Sequence, residues 1–135
     1  MPNYWLLKTE PSSYSFDDLV RDKRATWDGV SNPVALKNLR GMAVGDEVFI
    51  YHTGDEKRIV GLAKVVKAAY PDPKASDEKL VVVDLAPVKA VAKPVTLAEV
   101  KADPRFKDFA LARVPRLSVM HVAPEWWKAL LAMAS

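Results

Sequence analysis

The sequence predicts an α+β domain in which five or six strands form a closed or partly closed barrel flanked by short helices. Three features support this fold class. Segments rich in β-branched and aromatic residues alternate with short amphipathic segments, turn residues separate them at close spacing, and internal repeats are absent. A length of 135 residues suits one domain, so we predict a single domain over 1–135.

Two strands and two capped helices are predicted in the N-terminal part. In chain order they are a strand over 3–9, a helix after Ser15, a strand over 25–27 and a helix over 33–40. Ser15 and Asp18 have the spacing of a capping box, and Asn32 followed by Pro33 is typical of a second helix start. The apolar side chains expected to face the interior are Phe16, Leu19 and Val20 in the first helix and Val34, Ala35 and Leu39 in the second.

The remaining elements form most of the predicted sheet. They are a hairpin of strands over 47–53 and 58–67, a long strand over 79–91, a helix after Thr96, a closing strand over 117–122 and a helix from Pro124. Pro87 has no backbone N–H, so it predicts a bulge or an edge in the long strand. Thr96 and Glu99 form another capping box, and Pro104 limits the helix that follows.

Composition excludes several kinds of site. The chain has no cysteine, so disulfides, thiol nucleophiles and thiolate metal sites are excluded. His52 and His121 are its two histidines, which are too few for most metal sites, so we expect no metal. We also expect no cofactor. The 20 basic and 17 acidic residues give a net charge of +3, which is compatible with nucleic acid without requiring it. Neither a signal peptide nor a membrane span is indicated, so we expect a cytoplasmic protein that binds no membrane.

Two segments predict a ligand site. The first strand is apolar until it reaches Lys8 and Thr9, a pattern typical of a buried strand whose end opens onto a polar site. Trp27 is followed by Gly29 and then by the amide of Asn32. A flat indole, backbone donors made accessible by glycine and a short amide suit a planar, hydrogen-bonding ligand such as a nucleobase. The alternative for Trp27 is ordinary packing in the core.

The order of these segments resembles the EVE domain, a member of the PUA-like group of small β-barrels. The resemblance is carried by residues 5–11, 27–30, 45–46, 51–52, 59–61, 69–72 and 116–119, which read WLLKTEP, WDGV, GD, YH, IVG, AYPD and RLSV. It implies a PUA-like mixed β-barrel of five to six strands with short flanking helices. It also implies a pocket that recognises a modified base in DNA or RNA, as in the related YTH domains. The oligomeric state stays open.

The resemblance further implies which side chains line the pocket. Trp27 is expected to stack on the base, with Tyr70 as a second wall opposite. Trp27→Ala is therefore expected to weaken binding by about 1–3 kcal/mol. Its loss of folding stability is expected to be much smaller than the roughly 3–5 kcal/mol typical of deleting a fully buried core aromatic. The implied base-binding residues are Lys8, Thr9, Trp27, Gly29, Val30, Asn32, Tyr51, His52, Tyr70 and Ser118. Structural alternatives stay open for His52 as a satisfied core histidine, for Asn32 as a helix cap and for Lys8 as a salt-bridge partner.

A basic segment near the C-terminal end predicts contact with phosphates. From Lys101 to Arg116 there are five basic residues and two acidic ones. We therefore predict Arg113 and Arg116 as phosphate-binding residues. A solvated loop that happens to be basic is the alternative.

Two other functions stay open beside a non-enzymatic reader. Lys8, Thr9 and Glu10 place an amine, a hydroxyl and a carboxylate in one segment, which is similar to hydrolases of the ASCH branch of the PUA-like group. An amidohydrolase acting on modified nucleosides is therefore the main alternative, although strand alternation turns Thr9 away from the other two side chains. The third possibility is a protein-interaction module, which would need Trp126 and Trp127 to be exposed.

Overall fold

The computed structural model describes residues 2–135, in which six strands and several short helices are present. The strands are β1 (Tyr4–Thr9), β2 (Ala25–Trp27), β3 (Glu47–His52), β4 (Arg58–Pro71), β5 (Val81–Thr96) and β6 (Val119–Val122). The α-helices are α1 (Phe16–Asp22), α2 (Pro33–Arg40), α3 (Leu97–Ala102), α4 (Ala110–Arg113) and α5 (Pro124–Met133), and a 3-10 helix covers Pro104–Phe106. The sequence did not predict α4 or the 3-10 helix.

All six strands belong to one mixed sheet with the order β2-β5-β4-β3-β1-β6. Strand β1 runs parallel to β3, and the other neighbouring pairs are antiparallel. The α+β class and the strand count are therefore confirmed. The expected barrel is corrected to an open sheet, because over residues 2–135 the edge strands β2 and β6 do not pair with each other. These edges have only three and four residues, which leaves little ladder for closure.

The long hairpin of β4 and β5 bends at several points. Ala63 pairs with Pro87 while the preceding Leu62 pairs with Lys89, so Val88 is an extra residue in β5. This confirms the irregularity predicted at Pro87, where a missing N–H breaks the ladder. Strand β5 also pairs with β2, which places Trp27 opposite Val83 at the edge of the sheet.

The helix starts are confirmed by their caps. The Ser15 hydroxyl accepts a hydrogen bond from the Asp18 backbone N–H, and the Asp18 carboxylate accepts one from the Ser15 N–H. Thr96 and Glu99 make the same exchange at the start of α3. The Asn32 side chain accepts hydrogen bonds from two backbone N–H groups of the first turn of α2. Each cap satisfies donors that the helix itself cannot pair.

Two apolar positions differ from the prediction. Val20 and Val34 were expected inside, but they are 49% and 55% exposed. In α2 the interior position is taken by Leu36 instead. The rotation of a short helix about its axis is decided by its packing on the sheet, which the sequence of the helix alone does not contain. The other expected core residues of α1 and α2 are buried: Phe16, Leu19, Ala35 and Leu39.

Three tryptophans outside β2 have structural roles. Trp5 is only 6% exposed and its Nε1 donates to Asp46 Oδ2 at 2.9 Å, which confirms its place in the core. Trp127 is 3% exposed and its ring centroid lies 4.6 Å from that of Tyr4. Trp126 is half-buried and donates to the Arg105 carbonyl at 3.0 Å. The exposed tryptophan pair that an interaction module would need is therefore not formed. Within residues 2–135, no helix is both long enough and apolar enough to cross a membrane.

Candidate functional site

A cavity of about 600 Å³ is lined by the end of β1 and by β2 with the residues that follow it. It combines aromatic surface with side chains that donate or accept hydrogen bonds. Its lining residues are Lys8, Thr9, Glu10, Ser13, Tyr14, Ala25, Thr26, Trp27, Asp28, Gly29, Val30 and Ser118. The volume lies within the range of small-molecule sites in proteins and is sufficient for a nucleobase.

The aromatic surface comes from Trp27 and Tyr14. Their ring centroids lie 6.2 Å apart and their planes are nearly perpendicular at 85°. Trp27 is only 8% exposed and packs with the core, whereas Tyr14 is half-buried. The expectation that Trp27 contributes little to stability is therefore corrected. Its ring is both a wall of the cavity and part of the interior.

Tyr14 is fixed by its hydroxyl, which donates to Asp22 Oδ2 at 2.8 Å. Burial, and after it the hydrogen bond to the Asp22 carboxylate, raises the pKa of Tyr14 to about 12. The phenol is therefore neutral at physiological pH. Because the hydrogen bond fixes the ring, Tyr14 presents the cavity with an ordered apolar surface.

Lys8 connects the cavity to the segment before β6. Its Nζ donates to the Pro115 carbonyl at 3.0 Å, and its backbone N–H donates to the Ser118 carbonyl at 2.9 Å. Burial lowers the pKa of Lys8 from its ordinary value. An ammonium has three N–H donors, and within residues 2–135 Pro115 is the one acceptor that Nζ contacts. The other two donors are free for a ligand.

Thr9 and Glu10 lie at the rim with partners of their own. The Thr9 hydroxyl donates to the Tyr14 carbonyl at 2.7 Å. Glu10 Oε1 accepts hydrogen bonds from the backbone N–H and the hydroxyl of Ser12, and Oε2 lies 3.4 Å from the Thr53 hydroxyl. Across the part of the chain that the structure describes, no hydrogen bond joins the side chains of Lys8, Thr9 and Glu10 to one another.

A buried carboxylate anchors β2, the strand that carries Trp27. Asp84 is 6% exposed and accepts hydrogen bonds from Thr26 at 3.0 Å, Tyr70 at 2.6 Å and Arg24 at 2.8 Å. Burial by itself raises the pKa of Asp84, but the three hydrogen bonds outweigh it and the pKa lies below its ordinary value. The charged carboxylate thus joins β2 to both strands of the long hairpin.

The structure brings six of the ten predicted base-binding residues into this cavity. They are Lys8, Thr9, Trp27, Gly29, Val30 and Ser118. Gly29 has a φ of 76°, and no atom lies within 4 Å of the point that a Cβ would occupy there, so its backbone faces open space. The other four predicted residues lie outside the lining.

Each of these four has structural partners instead. Asn32 caps α2, and Tyr51 is 3% exposed in the core. His52 accepts a hydrogen bond from the Phe16 N–H through Nε2 and contacts Glu56 through Nδ1, both at 3.0 Å. Tyr70 donates to Asp84, so the wall near Trp27 is formed by Tyr14 and not by Tyr70.

Arg113 and Arg116 are exposed and are not part of the cavity lining. Arg113 lies 3.3 Å from Asp108 in an ion pair between two exposed side chains. Such pairs contribute little and exchange readily with other partners. The predicted phosphate contacts stay a prediction.

Half of the residues that line the cavity were not predicted from the sequence as ligand-binding residues. The missed residues are Glu10, Ser13, Tyr14, Ala25, Thr26 and Asp28. Ala25, Thr26 and Asp28 flank Trp27, so proximity to that residue was an available signal. No sequence signal indicated Tyr14, because its position in the cavity depends on the turn that follows β1. Over residues 2–135, no three histidine or acidic side chains converge as metal ligands, and the absence of a metal stays a prediction.

Comparison with known proteins agrees with this architecture. A family model described as EVE domain matches residues 3–133. The chain belongs to the EVE domain family. Thymocyte nuclear protein 1 of Mus musculus is 32% identical, in an alignment that covers 98% of this chain and 74% of that protein. This EVE domain chain thus accounts for most, but not all, of the length of that relative.

Two solved structures resemble this EVE domain closely. An NMR structure of a protein from Rhodopseudomonas palustris is 43% identical, with a TM-score of 0.92 and coverage of 98% of this chain and 92% of that one. A crystal structure of human THYN1 protein in complex with DNA containing 5-methylcytosine is 29% identical, with a TM-score of 0.90 and coverage of 98% of both chains. An ASCH protein from Zymomonas mobilis shares the fold alone, at 13% identity and a TM-score of 0.62.

Proposed function

We propose that this protein binds DNA carrying a modified base and holds that base in the cavity at the end of β1. The observation that carries the proposal is the cavity itself, which combines the Trp27 and Tyr14 rings with the polar rim of Lys8, Thr9 and Ser118. The human relative, similar over nearly the full length of its solved chain, is known in complex with DNA containing 5-methylcytosine. A modified cytosine is therefore the first ligand to test.

The apolar part of the cavity gives a physical reason for preferring a methylated base. Each buried methylene-sized group contributes about 0.8 kcal/mol of transfer free energy, which is about fourfold in affinity. Stacking on an aromatic side chain contributes about 1–3 kcal/mol per base and is insensitive to base identity. The aromatic rings thus supply general affinity, and the space for a methyl group supplies the preference.

Base binding in this cavity requires the base to leave the duplex. Extrusion costs a few kcal/mol and is cheapest when the base is already unpaired or mismatched. The open backbone at Gly29 allows close approach of a ligand, and the two free donors of Lys8 provide replacement hydrogen bonds. The proposal therefore predicts tighter binding when the modified base lies opposite an abasic site than when it is paired.

The test measures fluorescence anisotropy with duplexes that differ only in one cytosine, methylated or not at C5. We expect the methylated duplex to bind about fourfold more tightly. Tyr14→Ala should weaken binding to both duplexes. Trp126→Ala, an aromatic deletion at a half-buried position outside the cavity, is the matched control and should leave the Kd of the folded protein unchanged. Equal Kd values for the two duplexes would contradict the proposal.

The hydrolase alternative is less well supported by the contacts at the rim. The Thr9 hydroxyl already donates to a backbone carbonyl, and Lys8 donates to another. A general base must accept the proton of the nucleophile, but the Lys8 amine and the Thr9 hydroxyl are not hydrogen-bonded to each other within residues 2–135. Mass spectrometry of the same oligonucleotides and of N4-acylated cytidine after incubation tests this alternative, since hydrolysis would leave a product of lower mass.

A further inference from the structure

The rim of the cavity contains one carboxylate that is held in place. Glu10 Oε1 accepts from the Ser12 backbone N–H at 3.3 Å and from the Ser12 hydroxyl at 3.2 Å. Its Oε2 lies 3.4 Å from the Thr53 hydroxyl. A side chain at Gly54 would place its Cβ 2.8 Å from the same oxygen, so the glycine leaves room for the carboxylate. An acceptor that is ordered before binding loses little entropy when it meets a donor.

Lys8 lies two residues earlier in the same segment and offers the opposite chemistry. Its ammonium donates to Pro115 and has two further N–H groups, and no ion pair joins it to Glu10 within residues 2–135. Two residues of extended strand separate the Cα atoms by about 7 Å. One side chain that only donates and one that only accepts thus line the same cavity.

We propose that Lys8 and Glu10 select an amino pyrimidine, so that the cavity distinguishes 5-methylcytosine from thymine. This inference rests on the proposed function. Both bases carry the C5 methyl group and stack equally well, but cytosine has an amino donor at C4 where thymine has a carbonyl acceptor. Cytosine N3 is an acceptor, whereas thymine N3 carries a hydrogen. Glu10 accepts from the amino group and Lys8 donates to N3.

Thymine in the same orientation has two conflicts. Its C4 carbonyl faces the carboxylate, so two acceptors meet, and its N3–H faces the ammonium, so two donors meet; neither protein group gains a hydrogen bond from thymine. A matched pair of contacts to a base edge gives about 10- to 100-fold discrimination. The space in the cavity then selects for the C5 methyl group, and the Glu10 carboxylate selects for the amino group at C4.

Asp28 is the other carboxylate of the lining, and the geometry favours Glu10 over it. Both carboxylates are exposed, but within residues 2–135 Asp28 has no hydrogen-bond or ion-pair partner, whereas Glu10 accepts hydrogen bonds from Ser12. Its rotamer must be fixed on binding, whereas that of Glu10 is already fixed by Ser12. Asp28→Asn is consequently a matched control for Glu10→Gln, because both variants lose one negative charge at the same cavity.

The experiment compares Kd values for duplexes in which the test base lies opposite an abasic site. The test bases are 5-methylcytosine, cytosine and thymine, each in the same flanking sequence. No test base has a pairing partner, so the cost of extrusion is nearly equal for all three. Wild-type protein should bind 5-methylcytosine about 10- to 100-fold more tightly than thymine. Glu10→Gln should bring this ratio close to one, because an amide can donate to the thymine carbonyl as well as accept.

Two more variants make the outcome decisive. Glu10→Ala removes the acceptor and should weaken binding of 5-methylcytosine while leaving thymine unchanged or improved, and Asp28→Asn should leave the ratio as in the wild type. A ratio near one in the wild type would overturn the inference, as would a loss of discrimination in Asp28→Asn with Glu10→Gln unaffected. These failures are distinct from failure of the proposed function, which would appear as equal Kd values for 5-methylcytosine and cytosine.

Discussion

Trp27 belongs both to the hydrophobic core and to the wall of the cavity. It is 8% exposed, packs with the core and also lines the cavity. Deleting a buried aromatic ring costs about 3–5 kcal/mol, because the surrounding side chains fill the space only in part. We expect Trp27→Ala to lose stability of this size as well as about 1–3 kcal/mol of binding. Urea unfolding measures the first loss, and titration of the folded fraction at low temperature measures the second.

Trp5→Ala separates these two effects. Trp5 is as buried as Trp27 but lies away from the cavity, where it donates to Asp46. Its removal should cost a similar amount of stability and leave the Kd of the folded fraction unchanged. Retention of affinity in the folded Trp27→Ala protein would show that the base does not contact Trp27. An equal loss of affinity in Trp5→Ala would show that deleting a core aromatic residue is enough to weaken binding.

Tyr14 gives a pH dependence with a definite sign. Its pKa rises to about 12 in the folded protein, from an ordinary value near 10, mainly because of burial and then because of the Asp22 carboxylate. The folded state therefore holds the phenolic proton more tightly than the unfolded state. The resulting stabilisation is complete below about pH 10 and is lost as the pH rises through about 12.

Thermal melts of wild type and Tyr14→Phe between about pH 8 and about pH 12 test this dependence. The variant lacks the phenol and its hydrogen bond to Asp22, so it should melt at a lower temperature at the start of this range. The difference in Tm should shrink as the pH passes from about 10 towards about 12. A difference that stays constant over this range would mean that the phenol does not titrate as the geometry implies.

At the scale of single elements, the sequence was most informative where the determining contacts are local. The caps at Ser15, Asn32 and Thr96 involve residues two or three positions apart, so their side chains were sufficient to place three helix starts. The irregularity at Pro87 was predictable for the same reason. Exposure of Val20 and Val34 was not predictable in this way, because the sheet decides which face of a helix is covered.

Packing of α1 on β4 depends on the absence of a side chain at Gly61. A Cβ at this position would lie 2.3 Å from the Phe16 ring, which is 3% exposed. Gly61→Ala should therefore force the ring and α1 away from the sheet and cost about 1–3 kcal/mol or more. Chemical denaturation of Gly61→Ala, compared with wild type, measures this cost.

The double variant Gly61→Ala with Phe16→Leu identifies the cause. Leucine removes the ring that the new methyl group would meet, so the double variant should be more stable than the sum of the two single losses predicts. Gly41→Ala is the control, because its Cβ would meet Trp5 at 3.3 Å, a contact that a small shift relieves. Additive losses in the Gly61 and Phe16 cycle would contradict the proposed packing.

At the scale of the whole molecule, the sequence predicted the fold class and two segments that border the cavity, but it did not predict which aromatic side chain lies opposite Trp27. The family resemblance led to Trp27 and to the end of β1, and both border the cavity. Tyr70 was expected to form the second wall of the pocket, and Tyr14 was not considered for it. In the structure, the turn after Thr9 brings Tyr14 to Trp27, while Tyr70 binds Asp84. Such choices depend on how distant segments meet, which local patterns do not contain.

The placement of the basic segment relative to the cavity leads to a prediction for DNA binding as a whole. The Pro115 carbonyl accepts a hydrogen bond from Lys8, and Ser118 is part of the lining, so the segment that contains Arg113 and Arg116 adjoins the cavity in sequence. If the proposed function holds, we expect the phosphates that flank the bound base to contact this segment. The exposed ion pair of Arg113 with Asp108 is weak enough to open for a phosphate. Each phosphate contact releases counterions, which makes affinity depend on salt.

Arg113→Ala and Arg116→Ala should each reduce the slope of log Kd against log salt concentration by about one unit, and should weaken binding to all DNA sequences alike. Lys89→Ala makes the same change in net charge at an exposed position outside the cavity lining, so it should leave the slope unchanged. Equal slopes in all three variants would mean that the segment is only a solvated loop. A reduced slope in Lys89→Ala as well would mean that the total charge of the protein, rather than contact at this segment, determines the salt dependence.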